Sequence, residues 1–455
     1  MLTYQQAQEK VIQQARSFGR ERVILDQAYG RVLAEPIRAD RDYPPFHRAT
    51  MDGYAIRYRD WEQGIRQFSI VEIIYAGAAA TKPIGSGECY KIMTGAPVPP
   101  DADTVIRRED TDELTATGSP STINVTTSSE SLPASRSSAP SGGAPPASIT
   151  LTLSSCQPYS NIARQGEDMQ TGDAAIGTAS IIGPAVIGIL ASLGKYECLV
   201  EKMPRVALFT TGDEVVPADV TPNAVQIRNS NRWIIQSLLK GWDITPTQYE
   251  HLPDSKAALR TSLTKALTGT IPISGIAASY DPSASYDPSA SADPSTAPAD
   301  LIILSGGVSA GDADYVPGIL EELGVQRLFH KIAIKPGKPI WCGRTANGAM
   351  VFALPGNPFS GMVGFTLLIQ SYLHTCFGLI APPPMSLPLP GGRKKKTPLD
   401  EFFPVRVSGA PARLTAIDIN GSGDSRLGLY ANALALHPAA SGDLTEGTDV
   451  LYYNL

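Results

Sequence analysis

Carboxylates, lysines and glycines gather at a few points of this 455-residue sequence. "FTTGDEV" carries Thr211, Gly212, Asp213 and Glu214, and "LSGGVSAGDADYV" crowds Ser305, Gly306, Gly307, Ser309, Asp312 and Asp314 together. "LPGNPFSG" brings Pro355, Gly356 and Asn357, while "KIAIKPGKPI" sets Lys335 and Lys338 on either side of a Pro-Gly turn. Glycine lets the backbone come close to a phosphate, and N–H groups at a following helix start point at it. Asp213, Glu214, Asp312 and Asp314 would repel a bare phosphate, yet they are hard oxygen ligands of the kind that hold Mg²⁺ against phosphate oxygens. Two ammonium groups aimed at one place complete a metal–phosphate site. Any one of these stretches alone reads equally as an ordinary turn with solvated charges; several in register favour a site.

The elements around them supply that register. Three glycine turns each follow an apolar run, at 206–209, 301–304 and 350–353, and helical patterns such as "NSNRWIIQSLLKG", "YVPGILEELG" and "LPDSKAALRTSLTKAL", with Asp254 as its N-cap, lie between. Strands alternating with helices imply βαβ units, and an open parallel sheet would put all three turns on its carboxyl edge, where such folds bind ligands. The chain therefore reads as an α/β multi-domain protein. A central open, mostly parallel α/β sheet occupies 204–381, preceded by a mixed N-terminal region and followed by a small C-terminal β domain at 382–455. The N-terminal region divides into a helical, discontinuous domain (1–26 with 172–203) and a β-rich insertion (27–171). Two tracts poor in large apolar residues, about 111–147 and 279–299, read as disordered insertions. Lengthening a surface connection costs little beyond loop-closure entropy, so the fold should survive loss of the second.

Composition excludes several classes. A net charge of −6 gives no electrostatic reason for a nucleic-acid partner. No apolar segment is long enough to span a bilayer, and the N-terminus is unlike a secretory leader, so a cytoplasmic protein away from membranes is expected. The five cysteines are scattered and odd in number, which favours buried thiols over disulfides or zinc sites. The five histidines are isolated; only His47, in a proline-stiffened loop near Asp52, has a suggestive context. There is no G-x-x-x-x-G-K-[ST] and no G-x-S-x-G, which leaves a P-loop NTPase or a hydrolase elbow unsupported.

"PPFHRATMDGYAIR", "KIMTGAPVPPDADTVIRRED", "ARQGEDM", "FTTGDEVV", "LSGGVSAGDADYV", "IAIKPGKPI" and "LPGNPFSGMV" occur in an order and spacing that resemble the molybdopterin molybdotransferase family of the bacterial MoeA type, which is similar to the E domain of gephyrin. The resemblance implies a homodimer with a site shared between subunits and a central sheet of the molybdopterin-binding type. It implies adenylylated molybdopterin and molybdate as substrates, Mg²⁺ as cofactor, a molybdopterin adenylyltransferase upstream and molybdoenzyme apoproteins downstream. Residue by residue it assigns catalytic roles to Asp52, Thr94, Asp168, Glu214 and Asp314, and molybdate binding to Lys335 and Lys338. One position departs from the pattern. Similar proteins carry an arginine where this chain has Pro404, and Arg406, two residues on along a strand, is the substitute on the same face. Ser425 stands in a recognisable C-terminal context. Two rivals stay open on sequence: a gephyrin-like dimeric scaffold with a relict site, and another pterin or nucleotide enzyme that shares the central sheet.

Overall fold

The computed structural model of the chain describes residues 1–114, 147–269, 297–308, 314–424, 426 and 429–455. Ser309, Asp312, Ser425 and most of the two low-complexity tracts lie outside the described residues. The described chain forms two compact units, one from Met1–Glu35, Thr178–Ile187 and Tyr196–Leu455, the other from Pro36–Gly177 and Gly188–Lys195.

At the centre of the larger unit is a six-stranded mixed sheet, in the order Gln248–Leu252, Val206–Thr211, Leu301–Ser305, Met350–Leu354, Trp341–Arg344, Gln326–His330. The first four strands run parallel, Trp341–Arg344 runs against them, and Gln326–His330, antiparallel to its neighbour, runs with them again. Every residue of the three apolar strands (Val206–Thr211, Leu301–Ser305, Met350–Leu354) is buried. Their side chains alternate between two cores: Leu208, Ile303 and Phe352 enter one, with Ile235 and Leu239 of helix Asn231–Lys240 and Phe359 of helix Pro358–Gly364. Ala207, Ile302 and Val351 enter the other, with Leu259 and Leu263 of helix Lys256–Thr268 and Ile319 of helix Val316–Glu322. Helices on both faces explain why these strands read as unbroken apolar runs rather than as alternating ones.

Asp254 does not cap its helix. Ser255 holds the N-cap position without a side-chain hydrogen bond, and the Asp254 N–H instead donates to Asp213 Oδ1 at 3.1 Å. At the other end of the chain, helix Tyr4–Ile12 starts on a capping box in which Thr3 and Gln6 exchange side-chain bonds with each other's backbone N–H.

Two further sheets, and a parallel pair of Val215–Val216 with Ile227–Arg228, complete the larger unit. Arg20–Ile24, Glu197–Glu201, Val32–Leu33 and Ser180–Ile181 pair in that order. Val32–Leu33 belongs to this sheet and the second unit begins at Pro36, so the first segment of the larger unit holds these strands as well as helix Tyr4–Ile12. The C-terminal sheet runs Ile334–Lys335, Asp400–Ser408, Ala433–His437, Asp449–Asn454, Met385–Pro388, with Arg413–Ala416 paired to the end of Asp400–Ser408. Its first strand is the lysine segment itself, paired in parallel with Ile334 opposite Asp400 and Lys335 opposite Glu401.

The smaller unit is built on a six-stranded sheet ordered Thr104–Arg107, Gly53–Ile56, Glu88–Ile92, Gln67–Ile74, Ser148–Leu151, Thr111–Leu114. Thr111–Leu114 is thus a paired strand and not part of a loop. The far edge of the second tract is packed as well: Ala299 is buried and its N–H donates to the Ala266 carbonyl. All five cysteines are buried and free. Among the described residues no helix is long and apolar enough to cross a membrane.

Ile303 sits fully buried in the middle strand, so Ile303→Ala removes apolar contacts and leaves a cavity on one face of the sheet. The expected cost is about 2–5 kcal/mol, read as a lower urea midpoint with an unchanged slope.

Candidate functional site

The carboxyl ends of the three buried strands open into a cleft of about 970 Å³. The strand turns bring Thr211, Gly212 and Glu214, then Ser305, Gly306 and Gly307, then Pro355, Gly356 and Asn357 to its wall, with Asp314 beside them. Two glycines are required by contact as well as by backbone. At Gly306 (φ +106°) a Cβ would stand 2.5 Å from Thr211 Oγ1, and at Gly307 (φ +66°) 2.8 Å from Val316 Cγ2. The strand ends therefore approach one another more closely than any side chain allows.

Side chains that the sequence reading did not select hold these turns in place. Asn231, at the start of its helix, donates through Nδ2 to Ser305 Oγ at 2.9 Å and to the Gly356 carbonyl at 2.6 Å, which ties two turns together. Its Oδ1 is buried without a hydrogen-bond partner, and so is Thr211 Oγ1, which leaves two unmatched polar atoms on residues of the cleft wall. Deeper in, Asn229 Nδ2 donates to Thr210 Oγ1 at 2.8 Å, Thr210 meets His251 Nδ1 at 2.9 Å, and His251 Nε2 meets the Gly212 carbonyl at 3.1 Å. The carbonyl can only accept, so the network fixes the His251 proton on Nε2 and anchors the Gly212 turn. No local motif marks Asn231 or His251; the signal would have been the Asn at a helix start beside a glycine turn.

Carboxylates crowd one side of this cleft. Burial, and then the negative charge of Asp213, Glu214 and Asp314, push the Asp254 carboxyl above its ordinary value. Hard oxygens of this kind fit a divalent cation in chemistry. Among the described residues, however, no group of three or more His, Cys, Asp or Glu is gathered closely enough to hold one, and Asp312 lies outside them.

The lysines face elsewhere. Lys335 and Lys338 line a second cavity of about 400 Å³, between the central and C-terminal sheets, which shares Pro339, Pro355 and Asn357 with the larger cleft. Both side chains are exposed, and neither forms an ion pair with a described residue. Arg393, Lys396, Glu401 and Asp418 line the same cavity, none of them selected from sequence. Glu401 is buried and still held below the ordinary carboxylate range: burial opposes its charge, but Thr397 Oγ1 donates to it at 2.8 Å and the Lys396 N–H at 3.1 Å, with Lys395 close by. Pro404 is buried inside the strand, and Arg406 is exposed near its end, opposite Thr415. The structure brings Arg406 to neither cavity, because the strand leaves the cavity wall after Phe403. Arg426 grips Asp424 and holds that carboxyl well below its ordinary value.

In the smaller unit, Asp52 and Thr94 are brought together. The Thr94 N–H and Oγ1 both donate to Asp52 Oδ1, at 2.7 and 2.8 Å, and these bonds hold the carboxyl below its ordinary value. Asp168 is exposed, with its N–H on the Tyr43 carbonyl at 2.9 Å. His47 accepts the Gln165 N–H through Nδ1 at 3.0 Å, which gives it a part in joining two loops.

Comparison with known proteins decides what this arrangement belongs to. Residues 2–194 match the family described as MoeA N-terminal region (domain I and II), and residues 291–375 match the probable molybdopterin binding domain. The molybdopterin molybdenumtransferase of Staphylococcus aureus strain Mu50 is 28% identical over 456 residues, covering 98% of this chain and 93% of that protein. The chain is similar to molybdopterin molybdenumtransferases over nearly its whole length and carries the MoeA N-terminal region. The Synechocystis molybdopterin molybdenumtransferase is also 28% identical, over 87% of this chain and 84% of that one. The crystal structure of the molybdopterin biosynthesis MoeA protein from Pyrococcus horikosii shares 25% identity at a TM-score of 0.73, covering 100% of this chain and 99% of that chain. The chain is accordingly an enzyme of molybdenum cofactor biosynthesis with a MoeA-like multi-domain α/β fold.

Two outcomes follow from these contacts. Thr94→Ala removes one of the two bonds on Asp52, so its carboxyl titrates closer to the ordinary value. A depressed carboxyl stabilises the fold above the ordinary carboxylate range and loses that contribution as pH falls through its folded pKa, so variant and parent converge in stability at low pH. A carbon-13 titration of the Asp52 carboxyl checks the shift. Gly306→Ala must displace Thr211 at a positive φ, and a loss of about 1–3 kcal/mol in thermal unfolding is expected.

Proposed function

We propose that the protein inserts molybdate into adenylylated molybdopterin, with cleavage of the adenylate and release of AMP. The observation that carries this reading is the pair of adjoining cavities: one floored by glycine turns, the other lined by cations, with Pro339, Pro355 and Asn357 between them. Backbone N–H groups at the Gly307 and Gly356 turns suit phosphate oxygens, and the Lys335 and Lys338 ammonium groups suit a tetrahedral dianion. Water attacks the adenylate phosphorus and the bond from phosphorus to the bridging oxygen breaks, so AMP leaves carrying the water oxygen and the pterin phosphate keeps the bridging one; with a molybdate oxygen as nucleophile the first product is adenylyl molybdate, which a water then splits into AMP and molybdate. Glu214 and Asp314, with Asp213 and Asp312, are the residues that would hold Mg²⁺, which when bound supplies charge neutralisation at the phosphate. Within this chain the turn amides orient the phosphate, the acids stand beside it, and the lysines concentrate the oxyanion. Catalysis is then mainly electrostatic.

The same reading includes a homodimer whose site is shared between subunits, with Asp52, Thr94 and Asp168 contributing to it. A molybdopterin adenylyltransferase supplies the substrate and molybdoenzyme apoproteins take the product, in the cytoplasm.

Reconstitution tests it: purified adenylylated molybdopterin, Mg²⁺ and graded molybdate, with AMP release and activation of a molybdenum-free apoenzyme followed together. Molybdate-dependent AMP release with activation is expected. Tight pterin binding without turnover would instead make the protein a scaffold. Lys335→Ala or Lys338→Ala, both at exposed positions, should raise the molybdate concentration for half-maximal activity by about tenfold or more at an unchanged melting temperature, in line with loss of one charge-assisted contact. Unchanged molybdate dependence in both variants would remove the lysines from the site.

A further inference from the structure

The smaller cavity contains a guanidinium whose donors are unspent. Arg393 enters from the segment before the strand Asp400–Ser408, and its backbone is tied on both sides to Leu444, by N–H···O bonds of 2.8 Å in each direction. Its guanidinium carbon lies 4.1 Å from the centre of the Phe403 ring, a cation–π contact with a residue of the cavity wall. Burial pushes its pKa down from the ordinary arginine value, although an arginine remains charged at neutral pH. The nearest carboxylate, Glu401, is 3.7 Å from Nη2, too far for a hydrogen bond, and Glu401 Oε1 is already engaged by Thr397 and by the Lys396 N–H. Nε is buried with no hydrogen-bond partner. A buried N–H of a charged group left unmatched is costly, and a cavity-bound oxygen would relieve it.

The charges around it have one sign in excess. Lys335, Lys338, Arg393 and Lys396 face Glu401 and Asp418, four cations against two carboxylates. Register puts them there: the parallel pairing of Ile334–Lys335 with Asp400–Glu401 draws the lysine turn against the segment that carries Arg393 and Lys396. Pro404, at the strand position where the family resemblance implies an arginine, has no donor, and Arg406 is exposed and lines neither cavity.

We infer that Arg393, with Lys396 beside it, completes the oxyanion pocket of Lys335 and Lys338 and takes the place of the arginine missing at Pro404. This rests on the reading of that cavity as the molybdate site. The planar fork can offer two parallel N–H groups to two oxygens of a tetrahedral dianion, which an ammonium cannot do.

Direct binding of molybdate to the full chain, by titration calorimetry with sulfate as competitor, tests the assignment. Arg393→Gln should weaken molybdate binding by about 10-fold or more, as for loss of a charge-assisted pair. Arg393→Lys, which keeps the charge but not the fork, should weaken it several-fold at an unchanged melting temperature, a split that a merely structural arginine would not give. Lys396→Ala, at an exposed position, should weaken binding without affecting folding, so it decides the case if Arg393→Gln fails to fold. Arg406→Gln should bind as the parent does. If Arg393→Lys and Lys396→Ala bind molybdate like the parent while Lys335→Ala does not, the role of Arg393 is wrong and the lysine pocket stands. If the parent does not bind molybdate, or Lys335→Ala and Lys338→Ala bind it equally well, the pocket reading falls and this inference with it.

Discussion

Burial on both faces of three adjacent strands is the constraint from which the rest of the larger unit follows. Val206–Thr211, Leu301–Ser305 and Met350–Leu354 have no exposed residue, so polar chemistry can begin only where each strand ends. Parallel pairing then places those ends side by side. The cleft is the necessary outcome of three chains that must become polar at the same edge, and the missing side chains of Gly306 and Gly307 let those ends converge.

A second dependence joins the central sheet to the C-terminal one. Only two residues, Ile334 and Lys335, pair with Asp400 and Glu401, yet this short ladder fixes which face of the C-terminal sheet meets the lysine turn. Glu401 is the pivot. Buried, charged and satisfied by Thr397 and the Lys396 N–H, it orders the 396–397 backbone that brings further cations to the cavity. A buried carboxylate of this kind specifies arrangement more than it adds stability.

Legibility from sequence followed the range of the interactions. The three strands were readable because double-sided burial leaves an unbroken apolar run, and the turns because glycine and proline mark them locally. Asp52 and Thr94, far apart in sequence, were named through the family resemblance rather than through their spacing, and they do meet. What was not legible depended on distant partners. The Asp254 N–H turned to Asp213 where local preference had a helix cap. Thr111–Leu114, polar enough to pass for a loop, is a strand because Ser148–Leu151 pairs with it. Arg406 was the arginine selected from sequence and Arg393 was not, yet it is Arg393 that lines the cavity, beside a ladder of only two residues.

The partition between the two cavities is made of Pro339, Pro355 and Asn357. Proline rings have a fixed φ and no N–H, so two of its three members are stiff and offer no donor to either compartment. Asn357 alone carries a side-chain amide, and its Nδ2 reaches Ser422 Oγ at 2.9 Å. Of the three residues common to both cavities, Asn357 is therefore the one whose side chain can exchange hydrogen bonds with a group on either side, while the two prolines give shape without donors.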